Sequence, residues 1–237
     1  MEVIEFILLQ FIAHLFLDYF FQTGSLAKRK NSEGFKSGFL YWHALICFIL
    51  SWVVSFQLNF VFGALIIAVS HLFLDGFKKT WSQNKFIARY LFFIDQALHI
   101  VAIVAVVFFF NRWVGISPSF DIPFNRTFLL ILTAYLLCLK PANIFIREVF
   151  RVTEIEVSSD NEMPNAGKVI GILERILTLT LIIVSQYSAV GFLIAAKSIL
   201  RYRSDETLKS EYVLIGTLLS FGIAVIAGIL VNVIATW

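Results

Sequence analysis

The stretch FVFGALIIAVSHLFLDGF, residues 60–77, decides the fold class of this 237-residue chain. Its residues are apolar or glycine except for Ser70, His71 and Asp75. A helix needs about 20 predominantly apolar residues to cross a hydrocarbon core of about 30 Å. The stretch therefore predicts a transmembrane helix that carries a histidine and a carboxylate near one end.

The composition of the whole chain agrees with this prediction. Hydrophobic residues make up 59% and charged residues only 15%, with 26 phenylalanines. A soluble domain is about half apolar and about a quarter charged, so a soluble enzyme is excluded. A net charge of +3 is too small to indicate a nucleic-acid partner.

Apolar runs bounded by polar residues predict an all-α, polytopic membrane bundle of seven or eight transmembrane helices. The expected spans lie near residues 3–22, 38–57, 60–77, 87–110, 126–147, 168–186, 187–203 and 212–236. We expect a turn at 186–188, because 167–203 is too long for one crossing, and a polar loop at 152–166. The first segment has no basic region or cleavage site before it, so we expect it to remain as a helix.

Basic residues predict the orientation of these spans. The loops after the first and third helices are rich in lysine and arginine, including Lys28, Lys30 and Lys79. Short loops with such an excess lie on the cytoplasmic side. With eight spans in a cell inner membrane, both termini then lie outside, and cysteines placed at Lys30 and Lys79 are expected to react from the cytoplasm.

An internal repeat carries the polar residues of the first half. The pentapeptide His-Leu-Phe-Leu-Asp occurs at 14–18 and again at 71–75, and His43 and His99 follow at nearly the same offset. We infer a duplicated two-helix unit, with repeats of about 1–57 and 58–110 in a first half, 1–110, and a second helical half at 111–237. The repeats are unequal, because Asp95 corresponds to Phe39.

The repeat has the residue types and spacing of a metal site. Residues four apart share a helix face, so one helix can offer an imidazole and a carboxylate to one ion. Such ligands without a thiolate suit zinc, manganese, iron or nickel. We expect one or two divalent transition metal ions, with zinc first and manganese or iron as alternatives, held by His14, Asp18, His43, His71, Asp75, Asp95 and His99.

Two metal-free explanations stay open for these residues. A histidine in a membrane helix can simply form an interhelical hydrogen bond. A carboxylate there costs roughly 3 kcal/mol unless it has a partner, and a cation such as Lys79 could be that partner. Gln96, next to Asp95, is expected to affect metal content less than His71 or Asp75.

The second half offers cations for an anionic group. Arg175, Lys197 and Arg201 are predicted at the cytoplasmic side, where they would hold a phosphate over the metals. Alternatively, Glu174 and Arg175 form a buried ion pair. Lys197 and Arg201 then extend to the membrane interface.

The two His-x-x-x-Asp motifs, the segment 95–99 and the block from Gly167 to Arg201 resemble an uncharacterised family of bacterial integral membrane proteins, known only as a domain of unknown function. More distantly, the His/Asp pattern is similar to inner-membrane proteins classed as metal-dependent hydrolases. The resemblance implies a membrane-embedded metal site and defines no reaction.

These observations predict a cytoplasm-facing metal-dependent hydrolase that acts on a phosphate-containing or lipid-linked substrate. Asp95, Lys79 and Arg201 are its candidate catalytic residues, and Gln22, Arg175 and Lys197 are candidates for binding substrate. Membrane lipids are the expected partners. A metal-ion or proton-coupled transporter, or a scaffold with a structural metal, remains an alternative.

Overall fold

The structure, a computed structural model, describes residues 1–120, 124–154, 166–201 and 207–235. Within these ranges the chain forms ten α-helices and no strand, which confirms the all-α prediction. They are α1 (Val3–Leu15), α2 (Gly24–Glu33), α3 (Gly38–Val54), α4 (Val61–Trp81), α5 (Lys85–Trp113), α6 (Arg126–Cys138), α7 (Lys140–Thr153), α8 (Ala166–Ile183), α9 (Tyr187–Arg201) and α10 (Thr207–Ala235).

Four segments are long and apolar enough to cross a membrane: Val3–Phe20, Leu58–Trp81, Lys85–Trp113 and Glu211–Ala235. Two bent pairs, α2 with α3 at 103° and α6 with α7 at 46°, bring the number to at most six among the described residues. This supports a membrane protein but does not confirm seven or eight spans. The predicted spans 38–57, 126–147 and 187–203 are short or broken helices, and α8 carries three charged residues.

Large apolar side chains on the outer faces of these helices agree with a lipid environment. Phe62 on α4 and Val101 and Trp113 on α5 are 74%, 63% and 80% exposed. A helix that is hydrophobic all round lies in a protein core or in a membrane. Because these apolar side chains are largely exposed, lipid is a more favourable environment for them than water.

The chain divides into two compact units, Met1–Leu129 and Leu130–Trp237. In the first unit, α4 packs against α3 and α5, and α1 packs against the same two helices. Phe6, Phe60 and Phe110 form an aromatic cluster at one end of the unit, with ring centroids 4.7–6.2 Å apart. The polar repeat lies at the opposite end of the helices.

Side-chain caps fix where the helices of the first unit begin. The hydroxyl of Thr23 accepts a hydrogen bond from the backbone of Leu26 at the start of α2. Asn84 accepts two backbone hydrogen bonds at the start of α5. Such caps satisfy amide groups that have no partner inside the helix. The two predicted repeats differ in this region. In the first repeat a bend separates α2 from α3, whereas the corresponding part of the second repeat is the single continuous helix α5.

Two glycines hold the bend between α2 and α3 against α4. Gly34 ends α2 with a positive φ of 59°, a conformation that glycine adopts without strain. A Cβ atom on Gly76 of α4 would lie 2.3 Å from the ring of Phe35. The missing side chain therefore lets Phe35 pack directly on α4, which brings α2 over the end of that helix.

In the second unit, α8 packs closely against α10. The predicted span 126–147 is interrupted at Leu139, just before Pro141 in the first turn of α7. Proline lacks the amide hydrogen that would continue the helix. The turn after the sixth predicted helix, expected at 186–188, lies at 184–186, where Ser185 has a positive φ, so α8 and α9 are separate helices.

Candidate metal centre

The seven predicted ligands come together at one end of the first unit. His14 ends α1, His43 lies in the second turn of α3, and α4 and α5 supply two pairs. No side chain in this set is more than 7% exposed. The set is His14, Asp18, His43, His71, Asp75, Asp95 and His99.

Asp18 lies in a π-helical turn, Phe16–Phe20, that continues α1. The amide of Phe21 donates to the carbonyl of Phe16, five residues earlier, at 2.9 Å. Short π-helical turns occur frequently at functional sites, because they shift a side chain relative to the preceding helix face. The turn places the carboxylate of Asp18 between the imidazoles of α3 and α4.

Four candidate metal-ligand atoms, two from each copy of the repeat, form a closed ring in which neighbouring atoms lie close together. Asp18 Oδ1 lies 3.0 Å from His43 Nε2 and 3.4 Å from His71 Nε2. Asp75 Oδ2 lies 3.6 Å and 3.3 Å from the same two nitrogens. Zinc binds nitrogen and oxygen at about 2.0–2.2 Å, which separates neighbouring ligands of a tetrahedral site by roughly 3.3–3.6 Å. The ring therefore has the dimensions of a metal site.

The other two histidines flank this ring. The ring centroid of His99 lies 4.1 Å from that of His71 and 5.3 Å from that of His14. His99 Nδ1 is 2.8 Å from the backbone carbonyl of Asp95, so this nitrogen must carry the hydrogen. Its Nε2 then presents a lone pair, and that atom is buried without a hydrogen-bond partner. Histidine ligands of metals are oriented in this way.

A small cavity adjoins the imidazoles. His14, His71 and His99 line it together with Gln10, Ser51 and Ser70. Apolar residues, Leu17 and Ile67 among them, complete its wall. The cavity gives a small polar molecule such as water a place next to the histidines.

Two lysines that the sequence analysis did not assign to the site bind its carboxylates. Lys30 on α2 is 1% exposed, and its Nζ lies 2.5 Å from Asp75 Oδ2. Lys78 Nζ lies 2.6 Å from Asp75 Oδ1 and 2.8 Å from Asp95 Oδ2. Lys78 follows Asp75 by three residues, a spacing that brings side chains together on a helix. Lys30 had no such signal, since it comes from a separate helix.

Gln96 and Tyr19 also belong to the cluster. Gln96 Oε1 accepts a hydrogen bond from Tyr19 at 3.0 Å, and its Nε2 donates to Asp95 at 3.1 Å. The same nitrogen is 3.4 Å from Asp18 Oδ2. Gln96 therefore joins two carboxylates, whereas the sequence analysis treated it as a neighbour of lesser importance.

The remaining predicted residues are described within the unit to which each belongs. Lys79 is exposed, and its neighbour Lys78 contacts the carboxylates instead. Gln22 is half-buried, and its Oε1 has no hydrogen-bond partner. The lysine at 197 pairs with Glu174 at 2.5 Å in the second unit. Arg201 ends α9, and its side chain lies outside the described residues.

Arg175 is buried in the second unit without the predicted contact to Glu174. Its guanidinium donates to the carbonyl of Cys138, to Asn143 and to Ser220, at 2.7–2.9 Å. These bonds tie α8 to the break between α6 and α7 and to α10. Arg175 thus has a structural role in its own unit.

Together these features define an all-helical, membrane-compatible protein whose first unit encloses a His/Asp/Lys cluster. The chain belongs to the family described as "Protein of unknown function (DUF3307)", which matches residues 6–128. That range contains all seven predicted ligands and ends before the block from Gly167 to Arg201. No curated protein and no solved structure matches the chain.

Proposed function

We propose that this protein is an integral membrane metal-dependent hydrolase with one or two divalent transition metal ions, zinc first and manganese or iron as alternatives. The observation that carries the proposal is the ring of Asp18, His43, His71 and Asp75, whose separations of 3.0–3.6 Å suit a tetrahedral ion. The competing explanation is that hydrogen bonds and ion pairs alone hold these residues together without a metal. Measuring the metal content of the protein distinguishes the two.

Three of the four ring residues are the ligands in this proposal: Asp18, His43 and His71. Both oxygens of Asp75 already lie in ion pairs with lysine, Oδ2 with Lys30 and Oδ1 with Lys78. A catalytic zinc typically has three protein ligands and one exchangeable position. An ion held by these three residues would supply a bound water whose pKa is lowered toward neutrality, which would make that water a nucleophile at ordinary pH.

His99 is the best-placed proton acceptor in the proposed reaction. Its Nε2 is buried and has no hydrogen-bond partner, while its Nδ1 is fixed by the carbonyl of Asp95. The sequence analysis named Asp95 as a candidate catalytic residue. In the structure Lys78 and Gln96 contact its Oδ2, and its Oδ1 lies 3.4 Å from His99 Nδ1, so we assign this carboxylate to orienting His99 and balancing charge.

The proposed substrate is a phosphate-containing or lipid-linked molecule that enters from the cytoplasmic leaflet of a cell inner membrane. Two observations support this class. The cluster lies within helices that suit a membrane, and a buried lysine, Lys78, lies beside the ring and could compensate an anionic group. The other predicted residues remain candidates for contacts with the substrate: Lys79, Arg201, Gln22, Arg175 and Lys197.

Metal content is the first test of this function. Purified protein in detergent should contain at least one zinc, manganese or iron ion per chain by elemental analysis, and Asp18→Asn should contain less than a tenth of that. Glu174→Gln removes a carboxylate from the second unit and serves as the matched control, with unchanged metal. A folded, monodisperse wild-type protein without metal overturns the proposal.

Hydrolysis is the second test. Phosphomonoester and phospholipid substrates should be cleaved by the loaded protein, not by chelated protein, and cleavage should return on adding the metal back. His99→Gln should lower the rate at least a hundredfold while leaving metal bound, because general-base catalysis typically contributes about 10²–10⁴-fold. Full metal content with no hydrolysis of any phosphorylated substrate would favour a structural metal.

One observation favours a second candidate, a metal-ion or proton-coupled transporter. Gln10 and Ser51 are buried beyond the histidines and bond to each other at 2.5–3.0 Å. They line the same cavity as His14, His71 and His99. Chains of ionisable and polar groups inside a membrane serve as proton or ion paths. Uptake of zinc or protons into proteoliposomes, abolished by Gln10→Leu, would support transport over hydrolysis.

A further inference from the structure

The charges of the cluster limit how many ions it can hold. With neutral histidines, three carboxylates and the two ammonium groups of Lys30 and Lys78 leave one negative charge. One divalent ion leaves a single positive charge, whereas two leave three positive charges in a buried, membrane-embedded site. Burying uncompensated charge is costly, so the composition of the cluster favours one ion.

Lys78 lies where a second ion would be expected. The donor atoms of Asp75, Asp95 and His99 lie within 4.8 Å of one another, which is close enough for a metal site. Lys78 Nζ lies between the first two, at 2.6 Å and 2.8 Å. The residue is 8% exposed, so solvent does not replace it. His99 Nε2 is buried and unpartnered, so it is free to be the third ligand of a second ion once Lys78 is removed.

We propose that the ammonium group of Lys78 takes the place of a second metal ion. The centre is therefore mononuclear, with a lysine at the position where two-metal hydrolases bind their second metal ion. In two-metal sites the second ion stabilises the attacking or leaving oxygen. The ammonium group supplies one positive charge at the same place. This inference rests on the proposed function and identifies Lys78, rather than Lys79, as the residue that stabilises the anionic substrate.

The test is the number of zinc ions bound per chain by the full-length protein in detergent, measured by titration with Zn²⁺ and by elemental analysis. Wild type should saturate at one ion. Lys78→Met and Lys78→Gln free both carboxylates and should bind two. Lys78→Arg keeps the charge and should bind one, and the double variant Lys78→Met with Asp95→Asn should return to one.

Lys30→Met is the matched control for loss of a buried positive charge. Among the described residues Lys30 forms an ion pair with Asp75 and none with Asp95, so its removal leaves Asp75 and Asp95 bridged by Lys78, and one ion is expected. Two ions in wild type, or one ion in both folded neutral variants of Lys78, overturn the inference and leave the hydrolase proposal intact. A wild type without any ion overturns the proposed function and this inference together. Since the wild-type stoichiometry is measured on the native chain, the test does not depend on the variants' folding.

Discussion

At the residue scale, the cluster is a network of hydrogen bonds and ion pairs in which each carboxylate has several partners. Asp75 contacts two lysines and two histidines, and Asp95 contacts Lys78 and Gln96. A buried carboxylate is tolerated in a membrane only with such partners. The polar groups therefore depend on one another, and removing one leaves others buried without a partner.

Gln96 provides a direct test of this dependence. Gln96→Leu should lower the stability of the protein by about 1–3 kcal/mol, because it removes the hydrogen-bond acceptor of Tyr19 and one hydrogen-bond donor from each of two buried carboxylates. Gln83→Leu, at an exposed position, is the control and should change stability by less than about 0.5 kcal/mol. Denaturant unfolding in detergent measures both. Equal stability of the two variants would show that the amide is dispensable.

The sequence predicted the ligand set better than it predicted the surrounding residues. A repeated pentapeptide with helical spacing indicates four of these ligands from the sequence alone: His14, Asp18, His71 and Asp75. Lys30 and Tyr19 lie in no such pattern, because their contacts are to residues 45 and 77 positions away. Only the packing of separate helices brings those groups together.

At the element scale, the bend between α2 and α3 delivers Lys30 to the cluster. Phe35 lies in the turn Gly34–Lys36 and packs against Gly76, one residue after Asp75. Close packing at this point is what holds α2 over the end of α4. The bend is therefore part of the site rather than a simple connection.

Gly76→Ala tests the role of this contact. The added Cβ would lie 2.3 Å from the ring of Phe35, so we expect a loss of about 1–3 kcal/mol in stability from overpacking. Gly38→Ala is the control, since a Cβ there meets nothing within 4 Å. Thermal unfolding of the two variants is the measurement. An unchanged Gly76→Ala would mean that Phe35 can move away at no cost.

In the second unit, Arg175 joins three elements at the break between α6 and α7. Arg175→Lys keeps the charge but cannot donate to Cys138, Asn143 and Ser220 together, so we expect a loss of about 1–3 kcal/mol. Lys197→Arg, in a partly exposed pair with Glu174, should change stability much less. Denaturant unfolding distinguishes them. Equal behaviour would contradict a structural role for Arg175.

At the scale of the whole molecule, the four to six candidate spans can be inserted in the membrane in either of two orientations. Lysine and arginine in the short loops predict that the cluster end of the first unit faces the cytoplasm. Lys30 is unsuitable as a probe of this prediction because it is buried.

Cysteine labelling at exposed positions tests the orientation. Cysteines at Lys28 and Lys79, at the cluster end, should react with an impermeant reagent only from the cytoplasmic side. A cysteine at Trp113, 80% exposed at the far end of α5, should react only from the outside. The native protein is the background control, because Cys47 and Cys138 are buried. The reverse pattern would invert the topology.

The sequence by itself determined that this is an all-helical membrane-compatible protein with a repeated His/Asp pattern, because apolar length and helical spacing are local properties of the chain. Only the tertiary structure decided that α3 and α7 follow sharp bends and that Lys30 and Lys78 neutralise the carboxylates. Those features depend on contacts between distant segments, where steric fit and the cost of buried charge select one arrangement among many that the sequence pattern allows.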